Sequence, residues 1–177
     1  RLRPRRDAMT HAQAAARRAP GSRRASGADG GVRAVNATAS VQYAIARTGL
    51  PAATTVRRYV RAAALRDLAV TVRFVGAREG RTLNARFRGK DHATNVLTFV
   101  YDDGHRLTGD LVLCAPVLRR EARAQGKTVI AHCAHLLVHG MLHLQGYDHE
   151  RNADAQRMER REVEVLATLG YPDPYST

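Results

Sequence analysis

Cysteine is nearly absent from the 177 residues: Cys114 and Cys133 are the only two. Two cysteines exclude a disulfide framework and fit a reduced compartment. Each falls in an apolar run, which marks it as a buried packing residue. No stretch approaches the roughly 18 consecutive apolar residues of a membrane helix, so no membrane partner is expected. No apolar signal segment is seen either, and the expected localisation is cytoplasmic, with an organelle as the alternative. Lysine is also scarce. Of 29 basic residues only Lys90 and Lys127 are lysines, and the rest are arginines. The planar arginine fork suits phosphate, although an Ala- and Arg-rich chain equally reflects a GC-rich coding sequence. The net charge of +13 favours a polyanionic partner. The 44% hydrophobic content suffices for one core.

The charge is unevenly spread. Residues 1–38 hold nine arginines against Asp7 and Asp29, and so carry +7 of the +13. Apart from an Ala patch at Ala14 to Ala16, this segment mixes Gly, Ser, Pro and Arg and has little apolar surface to bury. A disordered, Arg-rich extension is therefore expected over 1–38, ahead of a single domain over 39–177. A transit peptide, a nucleic-acid-binding arm and an extension without function all remain open for it.

Within 39–177 the pattern alternates between strand and helix. Val41 to Ala46, closed by Thr48-Gly49-Leu50-Pro51, reads as an edge strand and turn. Pro51 opens a helix carrying Val56, Tyr59 and Val60. Leu68 to Val75 alternates Val70, Val72 and Phe74 with Thr71 and Arg73, a half-buried strand. Ala77 to Phe87 is expected to be helical with Leu83 and Phe87 facing the core. Thr94 to Tyr101 and Gly109 to Cys114 flank Asp102-Asp103-Gly104 and should pair as an antiparallel hairpin. Helices follow over Val117 to Gln125, Val129 to Leu144 and about Asn152 to Leu169, the last stopped by Gly170-Tyr171-Pro172. The sum is an α+β single domain, a small mixed sheet with one histidine-bearing helix packed across it.

That helix runs into the stretch that organises the chain, His139-Gly140-Met141-Leu142-His143-Leu144-Gln145-Gly146-Tyr147-Asp148-His149. Histidines four apart on a helix share one face and can reach one ion. Gly146 ends the helix in a left-handed turn, and His149 follows in the returning loop. One such histidine alone reads as an ordinary polar position. Three at this spacing read as ligands of one zinc ion, with a fourth position open for water as in a catalytic site. His132 and His135 lie upstream on nearly the same face, and His135/His139 is also an i, i+4 pair. The glycine break favours the later pair and leaves His135 as a packed residue or as a partner that fixes a ligand's tautomer. Asp148, beside a ligand, could orient an imidazole, move a proton or cap the loop.

The spacing is that of metzincin proteases, in which the residue after the first histidine is the glutamate that activates water. Here it is Gly140, so peptide hydrolysis lacks its usual general base and a metalloprotease is the second reading. A non-catalytic, zinc-containing binding module is the third.

Taken together, the histidine stretch, Gly170-Tyr171-Pro172-Asp173-Pro174-Tyr175, and the upstream blocks Leu83 to Asp91, Ala93 to Phe99 and Gly109 to Cys114 resemble the YbeY family of endoribonucleases and rRNA maturation factors. The similarity extends over Val41 to Tyr175. It implies a zincin-like fold, a catalytic zinc on His139, His143 and His149, and a functional arginine at Arg88. It also implies action on single-stranded RNA in maturation of the 16S rRNA 3′ end and in ribosome quality control. The small ribosomal subunit and an assembly GTPase are the implied partners. Val100 stands where the family has a proline, and residues 1–38 have no counterpart in it.

The chemistry is coherent without the name. Three-histidine zinc brings the pKa of bound water from ~15.7 towards ~7, which supplies hydroxide without a carboxylate base. A phosphodiester gathers negative charge as it breaks, and a guanidinium such as Arg88 can clamp its oxygens. Lys90 is a further candidate phosphate contact, or a solvated loop lysine. Attack by hydroxide and attack by the RNA's own 2′-hydroxyl are both open. A 2′,3′-cyclic phosphate on the product would exclude direct hydrolysis.

Overall fold

The computed structural model describes residues 13–14, 34–102, 106–148 and 151–176. Its elements run β1 (Gln13–Ala14), β2 (Ala37–Tyr43), α1 (Ala53–Ala63), β3 (Leu68–Val75), α2 (Ala77–Arg88), β4 (Val96–Asp102), β5 (Leu107–Cys114), α3 (Ala115–Ala124), α4 (Val129–Leu144) and α5 (Asn152–Thr168). The strands lie in the order β1-β4-β5-β3-β2. β2, β3 and β5 are parallel neighbours, β4 is antiparallel to β5, and the two residues of β1 bridge to Thr98 and Phe99. The expected α+β domain with a small mixed sheet is what forms, and the expected hairpin is the β4/β5 pair. Of its turn, Asp103 and Gly104 lie outside the described residues.

Two expectations are corrected. The edge strand lies at Ala37–Tyr43 rather than at Val41 to Ala46, and so crosses the boundary drawn between residues 38 and 39. Its inward residues are Ala37, Ala39, Val41 and Tyr43, packed against the core opposite β3. Two alanines make a faint alternation, which is why the apolar run beginning at Val41 looked like the start. Phe87 does not face the core. It is 47% exposed at the end of α2 and meets Phe99 edge-on, ring centroids 5.0 Å apart. The rest of the segment read as the extension, residues 1–12 and 15–33, lies outside the described residues.

Period-two alternation gives each strand two faces, and the faces are covered by different helices. Val70, Val72 and Phe74 of β3 and Leu111 and Leu113 of β5 pack with α1, α4 and α5 into the main core. Val75, Leu97, Phe99, Val112 and Cys114 form a smaller cluster on the other face, closed by Leu83 of α2 and Val117 of α3. Thus α2, which ends in Arg88, and α4, which carries the histidines, lie on opposite faces of the sheet.

α4 is apolar all round because it is buried all round, packed against α1, α3, α5, β4 and β5. Thr128 caps its start by accepting from Ala131 N–H at 3.1 Å. A hydrogen-bonded group ties its first turn to the neighbouring helix: His132 Nε2 donates to Glu121 Oε2 at 2.9 Å, and Asn95 Nδ2 donates to both oxygens of the same carboxylate. Its middle lies unusually close to the sheet. A Cβ on Gly140 would come within 2.9 Å of Leu111 Cδ2 and 3.4 Å of Thr98 Oγ1. The position held by glutamate in metzincins therefore faces packed strands here, where a carboxylate would be desolvated.

Candidate metal centre

His139 and His143 sit one turn apart on α4, 3% and 4% exposed, with ring centroids 4.6 Å apart. What orients each ring is the partner of its Nδ1. His139 Nδ1–H donates to Glu162 Oε1 at 2.5 Å, and His143 Nδ1–H donates to the Tyr147 carbonyl at 2.9 Å. An imidazole protonated on Nδ1 carries its lone pair on Nε2, so both rings are held in the tautomer that ligates a metal through Nε2. This donor set fits zinc: neutral imidazoles, pre-oriented, with the carboxylate-on-histidine pairing that raises ligand basicity.

The second of those contacts depends on one backbone conformation. Gly146 adopts φ +95°, its N–H donates to His143 O, and the following Tyr147 N–H donates to Leu142 O at 3.0 Å. This closes the helix and swings the Tyr147 carbonyl beneath the His143 ring. Gly146→Ala forces an L side chain into the left-handed region. The expected loss is about 1–2 kcal/mol, read as a lower midpoint in urea denaturation, together with weaker metal binding because the His143 acceptor moves.

Glu162, on α5, is the residue that sequence reasoning missed. It is fully buried, and its two oxygens collect three donors: His139 on one, His135 Nε2–H at 3.2 Å and the Tyr175 hydroxyl on the other. Burial alone would raise its pKa, but the hydrogen bonds from His135 and His139 outweigh that and hold the carboxyl well below the usual carboxylate range. Burial lowers the pKa of His135 against the opposing pull of Glu162. The His135 ring donates from Nε2, and among the described residues its buried Nδ1 has no hydrogen-bond partner. His135 therefore acts as a partner of the carboxylate that orients His139. A signal for Glu162 was present. It shares the inward stripe of α5 with Met158, Val165 and Leu166, and an acid among buried apolar positions needs a charged or hydrogen-bonding partner.

The other expected residues are more scattered. His149 lies outside the described residues, and among those described no group of three His, Cys, Asp or Glu side chains is placed to hold a metal. Asp148 is half-buried in the loop after Gly146. Arg88 is the last residue of α2, half-buried, with its pKa lowered by that burial. Lys90 is exposed in the following loop. That loop is pinned by Asn84, a fully buried residue whose Nδ2 donates to His92 O at 2.6 Å. Arg88 and the histidines come from opposite layers, but both layers converge on β4: Phe87 packs on Phe99, and Gly140 lies against Val96 and Thr98.

Two sequence comparisons point to one family. A family model described as Endoribonuclease YbeY matches residues 42–170. The chain is 59% identical over 140 residues to Endoribonuclease YbeY of Aromatoleum aromaticum, which covers 77% of this chain and 91% of that protein. It is 54% identical over 151 residues to the protein of the same name from Paraburkholderia phytofirmans, covering 81% of this chain and 98% of that one. The solution structure of TM1509 from Thermotoga maritima is 23% identical, with a TM-score of 0.49, and covers 78% of this chain and 99% of that one.

Proposed function

The chain belongs to the endoribonuclease YbeY family, and from that premise we propose that it is a zinc-dependent endoribonuclease acting on single-stranded RNA. Its substrate is small-subunit rRNA, cut in maturation of the 16S 3′ end and in ribosome quality control, and its setting is the cytoplasm. The small ribosomal subunit and an assembly GTPase are its partners. Among the described residues no helix is long and apolar enough to cross a membrane.

The observation that carries this reading is the pair of buried imidazoles on α4, each with Nδ1 committed to a fixed acceptor. His139, His143 and His149 hold one zinc ion per chain. When bound, zinc supplies hydroxide near neutral pH and a Lewis acid for a phosphoryl oxygen. The chain's own residues do the rest. Glu162 and the Tyr147 carbonyl keep the two rings aimed. Arg88 offers a guanidinium to the non-bridging oxygens, where charge grows as the phosphodiester breaks. Arginine keeps its proton in proteins, so the guanidinium is a cation there even though burial lowers its pKa. RNA that meets both Arg88 and the histidines has to span β4, on which both helical layers pack. Lys90 adds a phosphate contact from the exposed loop. The packing of Gly140 against Leu111 weighs against the metalloprotease reading, because no carboxylate fits at that position.

The test pairs metal content with cleavage. Wild type is expected to carry about one zinc per chain and to cut a short single-stranded RNA ending in the small-subunit 3′ sequence. His143→Ala should lose both together. Zinc without cleavage, even with the small subunit added, would move the reading to a binding module; cleavage that survives loss of zinc would overturn it.

A further inference from the structure

The C-terminal tail reaches Glu162 from the side opposite His139. After α5, Gly170 takes φ +84° and the chain turns back towards α4. Three polar contacts fix its course: the Tyr171 and Tyr59 hydroxyls lie 2.5 Å apart, Lys127 Nζ donates to Pro174 O at 2.7 Å, and Tyr175 N–H donates to Asp173 Oδ1 at 2.8 Å. At its end the Tyr175 hydroxyl donates to Glu162 Oε2 and lies 3.3 Å from His135 Nε2, with the ring edge-on to His135.

We infer that Tyr175 is a positioning residue for the metal: its hydroxyl, together with His135, fixes the plane of the Glu162 carboxylate, which in turn fixes His139. A carboxylate anchored through one oxygen alone swings about its last torsion, and the His139 ring would swing with it. Committing the second oxygen removes that freedom. The tail is poorly suited to a merely stabilising role. Tyr175 as a residue stays 41% exposed, and Pro172, Asp173 and Ser176 around it are exposed as well. Little apolar area is buried there, so what Tyr175 contributes is a directed hydrogen bond. The inference rests on the zinc reading above and adds to it that the metal centre is incomplete without the last residues of the chain.

The test uses the full chain, with Tyr175→Phe and Tyr175→Ala beside wild type. Zinc affinity is measured by competition with a chromophoric chelator, ligand geometry by the absorption bands of the cobalt(II)-substituted protein, and the thermal midpoint on zinc-free protein. Tyr175→Phe, which loses only the hydroxyl, should bind zinc about tenfold more weakly, the low end for a group that orients a metal ligand. Its cobalt bands should shift, its zinc-free midpoint should fall only modestly because the buried carboxylate loses one of three donors, and Tyr175→Ala should bind zinc no better than it does. Wild-type affinity in Tyr175→Phe with a loss only in Tyr175→Ala would overturn the inference, since packing would then be what matters. A wild-type protein that takes up no zinc would instead remove the metal reading, and this inference with it.

Discussion

Glutamine in place of Glu162 is expected to weaken zinc binding by about 10- to 100-fold and to destabilise the zinc-free protein by roughly 2–3 kcal/mol. Both effects come from the same mismatch. The carboxylate accepts from His139, His135 and Tyr175 with no donor of its own. A glutamine amide offers one accepting oxygen and points an NH2 group at partners that already donate. Either His139 gives up its Nδ1–H bond, and with it the tautomer that ligates through Nε2, or His135 and Tyr175 are left facing a donor in a dry site. The ionised carboxylate also gives stability a pH dependence. The folded pKa is held below the unfolded value of about 4.3, so the contribution is complete above that value and is lost as the pH falls through the folded pKa. Glu162→Gln should therefore be less stable than wild type at neutral pH, and the gap should narrow in acid. Chelator competition and urea denaturation measured across pH check both halves. Equal affinity and equal neutral-pH stability would mean that Glu162 is not what holds His139.

The contrast between His139 and Glu162 shows what the sequence could reveal. The histidine spacing is local: i, i+4 and a glycine on one helix, a pattern that needs no knowledge of the fold. β3 and α4 were legible for the same reason, since uninterrupted alternation and a long apolar helical run each report on their own burial. Glu162 acts through a contact 23 residues away in sequence, and nothing in its neighbourhood says which face of α4 it will meet. Tyr175 likewise drew notice only as part of the C-terminal block, because its partner is made by the fold. The strand at Ala37 was missed because alanine carries little hydrophobic signal, although it packs inward as Val41 does. Phe87 failed in the opposite sense: a large apolar residue at helical spacing meets the sheet edge-on at Phe99 and leaves much of itself exposed.

Gly109→Ala should be among the most damaging small substitutions in the protein, with an expected cost of about 3 kcal/mol, at the upper end for overpacking. A Cβ there would lie 2.4 Å from Leu144 Cδ1 and 2.5 Å from the backbone oxygen of Phe99. The first neighbour is the end of a flexible side chain and can turn away. The second belongs to β4, held in register by its pairing with β5, and cannot move without opening the hairpin. The two clashes can be separated. Leu144→Ala alone removes a buried side chain and costs about 2–5 kcal/mol. In Gly109→Ala/Leu144→Ala the methyl fills part of that space, so the double variant should be more stable than the sum of the single losses by about 1 kcal/mol or more, but still less stable than Leu144→Ala because the Phe99 contact persists. Urea denaturation of the four proteins measures the coupling. Simple additivity would mean that β5 and the last turn of α4 do not press on each other at Gly109. The same contact bears on function. Leu144 follows His143 directly, so pushing the helix end off the sheet also shifts the His143 ring relative to His139, and on the proposed zinc reading the single Gly109→Ala variant should lose zinc affinity as well as stability.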